Sequence, residues 1–426
     1  MQPAADRERA EARDLDARDP LAQFRERFHF PLQADGVPVT YLNGNSLGLA
    51  PRAAEAIVRR ELDDWATLAV EAHFRHEAPW YTYHELLRDP LARLVGALPS
   101  EVVAMNSLSV NLHLLMVSFY RPTQARHKVL IEEHAFPSDA YAVQSQLRFH
   151  GFDPENGIIE VKARAGEHAL RTEDIDRILD ERGGEIALVL LGGVNYFTGQ
   201  AFDIAAIARA AARAGCVVGV DLAHAAGNIL LRLHDWQVDF AVWCSYKYLN
   251  GGPGAPGGAF VHERFGRDTE RARFAGWWGT DPAERFKMHD NRRFEPRAGA
   301  DGWQLSNPPI LAMAPLRASL ACFDEAGMEA LRAKSVALTG FAERLVGKLK
   351  QHGVEIITPS EPAARGCQLS LRLARRPRAT FEALCARGVT VDLRDPDVLR
   401  IAAVPLYNSF EDVRHFAHTL ETVLRA

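Results

Sequence analysis

The sequence predicts an α/β protein: a large, mostly parallel sheet domain covered by helices, then a smaller α+β domain. Three observations carry that expectation. Short apolar runs alternate with helical segments from residue 127 to 245, the mark of βαβ units. Asp139, Asp221, His224 and Lys247 each fall just past such a run, where sheets of this kind bind ligands. Near Pro309 the texture changes to two long helices followed by short alternating segments. At 426 residues the chain exceeds the size at which one core stops growing, so two domains are expected. The expected division is 1–40, a helical segment packing with the small domain; 41–308, the large domain; and 309–426, the small C-terminal domain.

Hydrophobic residues make up 47% and charged residues 25%, ordinary for a globular protein. A net charge of −5 gives no electrostatic case for nucleic acid or an anionic membrane. Five widely spaced cysteines (Cys216, Cys244, Cys322, Cys367, Cys385) form no CxxC pair, which points to free thiols in a reducing cytoplasm. Met1 to Pro20 is crowded with charge and holds no apolar core segment, so no secretory signal is expected. The longest apolar run, Ile186 to Leu191, is far too short to span a bilayer.

Taken in order, residues 1–29 carry helical spacing around Leu15, Leu21 and Phe24, and Val37 to Leu42 is extended. Asn43-Gly-Asn-Ser-Leu-Gly48 reads as a loop with backbone in unusual conformations, or as a simple turn before the helix that Pro51 opens. Residues 52–98 are mostly helical, with a break at Ala78-Pro79. His73, His76 and His84 lie there without Cys or carboxylate at a ligand spacing, so no metal is expected. Val110 to Phe119 is a largely apolar helix for which Ser107 or Ser109 offers a cap, and its N-terminus suits a phosphate as well as an ordinary core helix.

His127 to Glu133 is a strand that runs into Phe136-Pro-Ser-Asp139, where Ser138 or Asp139 could cap the next helix. Strands at 158–162, 186–191 and 216–221 alternate with helices at 172–182 and 204–214, the latter stopped by Gly215. Gly252-Pro-Gly-Ala-Pro-Gly257 matches a dinucleotide fingerprint by letter only, because a strand, not a helix, follows at 258–261. Helices at 310–327 and 329–351, strands at 354–357, 368–373, 389–393 and 399–403, and a helix at 411–425 complete the small domain.

Val238 to Cys244 is a buried strand ending in Ser245-Tyr-Lys247. Burial lowers the pKa of a lysine and frees an amine nucleophile. The bland alternative is a lysine whose stem packs while its head reaches water. Asp221, one strand earlier, and the helix N-terminus at Ser109 complete a set suited to pyridoxal 5′-phosphate (PLP): an amine for the aldehyde, a carboxylate for the pyridine nitrogen and a phosphate cradle. Phe136 could stack on the ring.

At these residues the sequence resembles the kynureninase family, within the aminotransferase class V group of fold type I PLP enzymes. The matching stretches include Leu42-Asn-Gly-Asn-Ser-Leu-Gly-Leu, Leu108-Ser-Val-Asn-Leu-His, Phe136-Pro-Ser-Asp, Tyr196-Phe-Thr-Gly-Gln, Val220-Asp-Leu-Ala-His-Ala and Trp243-Cys-Ser-Tyr-Lys-Tyr-Leu-Asn. Gly276-Trp-Trp-Gly, Arg285-Phe-Lys-Met, Ser306-Asn-Pro-Pro-Ile and Val404-Pro-Leu-Tyr-Asn-Ser-Phe follow in the family's order, over about residues 41 to 411.

The resemblance implies a homodimer with shared active sites that hydrolyses the Cβ–Cγ bond of kynurenine, its 3-hydroxy form or both. That step belongs to the kynurenine pathway of tryptophan catabolism and NAD biosynthesis. Lys247 would be the Schiff-base lysine and would move the Cα proton. Tyr246 would touch the phosphate and help proton transfer, and Asp221 would bind the ring nitrogen beside His224. Leu108, Ser109, Phe136, Pro137, Ser138 and Asp139 would line the cofactor. Trp277 and Asn307 would reach it from the second subunit. Arg400 would hold the substrate carboxylate. Ser46, His73, Trp278 and Asn307 would surround the aromatic end, and Asn307 suits a preference for the 3-hydroxy substrate. Gly192 departs from the pattern, standing where relatives tend to carry a hydroxyl.

Two other readings compete. A class V cysteine desulfurase or aminotransferase would share the fold, but a desulfurase needs a catalytic Cys on a mobile loop, and Cys322, Cys367 and Cys385 sit in helix-like or strand-like stretches. A binding protein that has lost the reaction would not need Lys247, Asp221 and Tyr246 together.

Overall fold

The structure is a computed structural model that describes residues 2–75, 77–287, 289–290 and 293–426; His76 and Met288, both named above, lie outside the described residues. The strands are β1 (Thr40–Tyr41), β2 (Val102–Met105), β3 (Lys128–Glu132), β4 (Ile158–Val161), β5 (Ile186–Gly192), β6 (Val217–Asp221) and β7 (Phe240–Trp243). They continue with β8 (Gly257–Val261), β9 (Val354–Ile356), β10 (Gln368–Leu373), β11 (Val389–Thr390), β12 (Asp392–Arg394) and β13 (Val398–Ala402).

A seven-stranded sheet of order β2-β8-β7-β6-β5-β3-β4 forms the large layer. Its stretch from β7 to β4 is parallel, and β8 runs antiparallel to both β7 and β2. Helices cover both faces, so the central strands are apolar throughout: Phe240, Ala241, Val242 and Trp243 of β7 are all buried. Large side chains there need small neighbours. A Cβ on Gly258 would stand 2.1 Å from the Trp243 ring, and one on Gly219 would stand 2.2 Å from the Phe240 ring. Register lines up the carboxyl ends, with Gly192 of β5 opposite Asp221 of β6 and Asp221 opposite Val242 of β7.

Most expected elements stand within a residue or two of the spacing that predicts them. Helix Ile204–Ala214 ends at Gly215 in a left-handed conformation, φ 69°. Five expectations change. Val102–Met105 is a strand, although its four apolar residues carry too little pattern to announce one. Helix Pro377–Cys385 interrupts the small domain without a capping signal. The segment 389–393 divides into β11 and β12, which belong to different sheets. The caps also move. Ser107 occupies the N-cap of helix Leu108–Phe119 without a side-chain hydrogen bond, and Phe136 precedes helix Pro137–Phe149. Proline suits the first helical position, so Ser138 and Asp139 fall inside the first turn, as Ser109 does in its own helix.

The loop Asn43–Gly48 holds no positive φ, against expectation. Its glycines serve close approach instead. A Cβ on Gly44 would lie 2.3 Å from the Tyr407 hydroxyl, and one on Gly48 would lie 2.4 Å from the Lys247 carbonyl oxygen.

The smaller antiparallel sheet has the order β12-β13-β10-β9. Helices Met328–Gly347 and Phe410–Arg425 pack on it through Leu338, Phe341, Leu345, Val413, Phe416 and Leu420. The helix Gln2–Ala17 joins this core at Ala12. Asp16 accepts the Phe410 N–H at 2.7 Å and the Glu411 N–H at 3.1 Å, both at the N-terminus of the last helix. A buried ion pair, Lys334 to Asp19 at 2.7 Å, fastens the same segment. Gly258→Ala is expected to lower unfolding free energy by about 1–3 kcal/mol through overpacking against Trp243, read from urea denaturation midpoints.

Candidate active site

The carboxyl ends of β3, β5 and β6 and the turn after β7 surround one pocket. Glu132, Phe136, Asp139, Gly192, Val194, Tyr196, Asp221, Ala223, His224 and Lys247 line it. The turn that presents Lys247 is closed by the Asn250 N–H on the Lys247 carbonyl at 3.0 Å and the Gly251 N–H on the Ser245 carbonyl at 2.8 Å. Lys247 is 8% exposed, so this is not a lysine with its head in water. Its Nζ lies 3.1 Å from His224 Nε2 and 5.5 Å from the Phe136 ring centre.

Asp221 accepts the Ala223 N–H on Oδ1 at 2.7 Å. Asp139 sits beside it. Burial, then the Asp221 charge and a hydrogen bond with that carboxylate, push the Asp139 carboxyl well above its ordinary range. Burial also pushes Glu132 up to about 7, helped by Asp221. His224 moves well down, first through burial and then through the Lys247 charge, and its ring is neutral. The Tyr246 phenol is pushed up by burial and by Cys244 beneath it, so it keeps its proton.

Two helix N-termini meet beside the pocket. Ser109 Oγ and Ser138 Oγ are 2.8 Å apart, each in the first turn of its helix. The free N–H groups there, Leu108 among them, form a ready anion cradle. Pro137 opens its helix at no loss of a needed donor. Phe136 is 39% exposed, and its ring meets Tyr196 edge-on at 5.2 Å.

From the small domain, Arg400 comes to the rim. Its Nε donates to Asp392 Oδ2 at 2.6 Å, its Nη1 donates to the Tyr196 carbonyl at 2.7 Å, and Nη2 also faces Asp392. Ser46 lies on the loop whose Gly48 N–H donates to the Tyr246 carbonyl at 2.8 Å, so this loop docks on the lysine turn.

The remaining expected residues gather elsewhere in the chain. Trp278 is buried, under the Arg285 guanidinium at 4.1 Å and against Tyr81 at 5.5 Å. Trp277 is half-buried with its ring 4.9 Å from Trp278, and His73 packs edge-on against Trp80 at 5.4 Å. Asn307 is exposed. The residues lining the Lys247 pocket include none of these four.

Sequence reasoning passed over Glu132, Tyr196 and Asp392. Glu132 ends an apolar strand just as Asp221 does, a signal that was present. Tyr196 stood inside a quoted stretch, whereas Asp392 becomes visible only through its register opposite Arg400.

Two histidine–carboxylate groups, His84–Glu85–Asp301 and Glu101–His234–His262, bring ligating atoms within 4.8 Å of one another. Their carboxylates are already engaged: Asp301 by Arg88 and Arg297, and Glu101 by His234 and by the Leu98 and Glu263 N–H groups.

A primary amine, a carboxylate for a ring nitrogen and a two-helix anion cradle at one sheet edge define the chemistry of a PLP enzyme of fold type I. The pocket fits that cofactor. Among the described residues, buried His224 Nδ1 and Asp139 Oδ1 have no hydrogen-bond partner, so polar atoms face the space a ring would fill.

Solved structures share the fold. A cysteine desulfurase from Thermococcus onnurineus NA1 aligns over 97% of this chain and 98% of its own at a TM-score of 0.74 and 16% identity. One from Escherichia coli aligns over 95% and 98% at 0.75 and 17%. At such identity the likeness concerns architecture alone. Sequence relatives are far nearer. A kynureninase from Koribacter versatilis (strain Ellin345) is 58% identical over 403 residues, 95% of each chain. One from Myxococcus xanthus (strain DK1622) is 57% identical over 410 residues, 96% of each. The family model for the kynureninase C-terminal domain matches residues 331–420. The chain belongs to the kynureninase family.

Lys247→Ala is expected to abolish the covalent link to PLP: borohydride treatment should fix the cofactor to wild type and not to the variant, as read by mass spectrometry of the intact chain.

Proposed function

We propose that this chain hydrolyses the Cβ–Cγ bond of L-kynurenine, its 3-hydroxy form or both, releasing an anthranilate and L-alanine. The reading is carried by the Lys247–His224–Asp221 pocket in a chain 58% identical to a kynureninase over 95% of its length. The reaction leaves carbanion character beside the amine carbon and needs an acid or base at each proton transfer. Bound PLP supplies the electron sink.

The protein's residues do the rest. Lys247 holds the cofactor, and once displaced by substrate its amine takes and returns the Cα proton. Neutral His224, 3.1 Å from that amine, accepts its hydrogen bond without adding a second charge. The Asp221 carboxylate would pair with the ring nitrogen and keep it protonated, with Asp139 alongside. The first turns at Leu108–Ser109 and Pro137–Ser138 take the phosphate, and Phe136 covers the ring. Tyr246, holding its proton, is the acid next to the lysine in sequence, with its ring centre 5.9 Å from Nζ.

Arg400 receives the substrate carboxylate in place of Asp392. Ser46, His73, Trp278 and Asn307 form the aromatic end, and Asn307 hydrogen-bonds a ring hydroxyl. Trp277 and Asn307 complete the site of a partner subunit in a homodimer; their distance from the Lys247 pocket in one chain, and their exposed and half-buried positions, support this.

In this reading residues 41–308 are the PLP-binding domain, 309–426 the small domain, and 1–40 a segment tied to it. Free thiols at all five cysteines and the charge balance support a cytoplasmic enzyme that binds neither nucleic acid nor membrane. No helix among the described residues is long and apolar enough to cross a membrane.

Two kinetic outcomes are expected. Anthranilate or 3-hydroxyanthranilate release is followed by fluorescence, and kcat/KM is compared for the two substrates. The 3-hydroxy form should be favoured, and Asn307→Ala should erase that preference by about 1–3 kcal/mol, a factor of roughly 5 to 150. Absence of product from both substrates with PLP bound refutes the activity, and a preference for plain kynurenine refutes the role of Asn307. Arg400→Lys should raise KM about tenfold or more, because a point charge cannot reproduce a bidentate contact.

A further inference from the structure

The pocket holds a carboxyl group that the steps above do not use. Glu132 ends β3, is 5% exposed, and lines the same space as Asp139, Asp221 and Lys247. Both of its oxygens meet the Gly192 N–H, at 3.1 and 3.2 Å, and besides that only its own backbone N–H supports the carboxylate. That is thin support for a buried anion. Gly192 makes the arrangement possible, since a Cβ there would stand 2.9 Å from Glu132 Oε1.

We propose that Glu132 is a third buried acid of the cofactor site, a positioning residue that fills the space left by Gly192 and couples uptake of PLP to the loss of one proton. The proposal rests on the reading of this pocket as the PLP site. Within the pocket, Glu132 faces Asp221 from β6 and Asp139 from helix Pro137–Phe149. Lys247 is the cation that lines the same pocket, His224 is neutral, and Arg394 and Arg400 act on His224 from the small domain. Three carboxylates against one lysine would leave net negative charge in a low dielectric, which favours the protonated forms of Glu132 and Asp139.

A protonated ring nitrogen brings a positive charge into this group of acids. The O–H bond of Glu132 then breaks, its proton passes to solvent, and the carboxylate left behind balances the ring. Nothing is oxidised or reduced. Glu132 therefore keeps Asp221 from being the sole counter-charge and holds Gly192 at the sheet edge.

The sign of the pH effect follows from the raised value. Burial lifts Glu132 from its usual 4.5 to about 7. Its contribution to the stability of the PLP-free chain is present below about pH 4.5 and lost as pH rises through about 7. For PLP binding the direction reverses, because the bound ring favours the ionised acid and affinity rises over the same range.

The test uses the full chain, stripped of PLP by dialysis and titrated with PLP from about pH 6 to about pH 8, in wild type and Glu132→Gln. Wild-type Kd should fall by about tenfold more across that range than the variant's, the factor set by one unit of differential interaction. Without PLP, the Tm advantage of Glu132→Gln over wild type should widen from about pH 5 to about pH 8. Parallel pH profiles of Kd and Tm in the two proteins overturn the proposal. Should Glu132→Gln fail to fold, Glu132→Asp takes its place: it should keep the pH-dependent component with a displaced midpoint, and an unchanged midpoint overturns the role. Wild type that takes up no PLP at any pH overturns the underlying reading, whereas wild type that binds PLP with the variant's profile overturns Glu132 alone.

Discussion

Aligned strand ends are the constraint on which the site depends. Because β5, β6 and β7 run parallel in register, Gly192, Asp221 and Val242 stand side by side, and whatever follows each strand enters the same pocket. A low dielectric then rations charge. One lysine faces several carboxyl groups there, so burial and mutual repulsion raise Glu132 and Asp139 above their ordinary range and lower His224 below its own. The chemistry of the site is therefore written as much in protonation states as in positions. Both follow from packing a polar edge between apolar layers.

The small domain contributes through a hairpin. Asp392 and Arg400 are opposite residues of β12 and β13, and the carboxylate holds the guanidinium at the rim while Tyr196 meets it from the large domain. An arginine tied in this way is preorganised but not idle. In the proposed reading it would exchange one carboxylate for another when a substrate arrives, so that little side-chain freedom would be lost on binding. The loop at Gly44 and Gly48 serves the same joint, since it touches Tyr407 of the small domain at one end and the lysine turn at the other.

Much of this was legible in the residues. Val-Val-Gly-Val-Asp221 and Phe-Ala-Val-Trp243 read as buried strands because they are apolar throughout, and an Asp or Lys at such an end has few structural uses. Helix 204–214 announced its own stop at Gly215. Glu132 was overlooked because Glu133 follows it, and two adjacent acids resemble the start of a loop. Of the two candidates for the first cap, Ser107 holds the N-cap position, whereas Ser138 and Asp139 fall inside their helix because Pro137 fixes where it starts. Trp277, Trp278, His73 and Asn307 owe their positions to contacts distant in sequence, which no local pattern encodes. Resemblance to a family named them, and in a single chain they stand apart from the lysine.

The first helix has a temporal consequence. Asp16 meets its partners at Phe410 and Glu411, 394 and 395 residues later in the chain. On a ribosome moving at about 5–20 residues per second, that helix waits roughly 20–80 seconds for the helix it caps to be made. The large sheet has time to assemble while the small domain still lacks one of its walls. Synthesis thus separates the two halves by order of birth: the pocket's acids and lysine come together early, and the arginine at its rim arrives last.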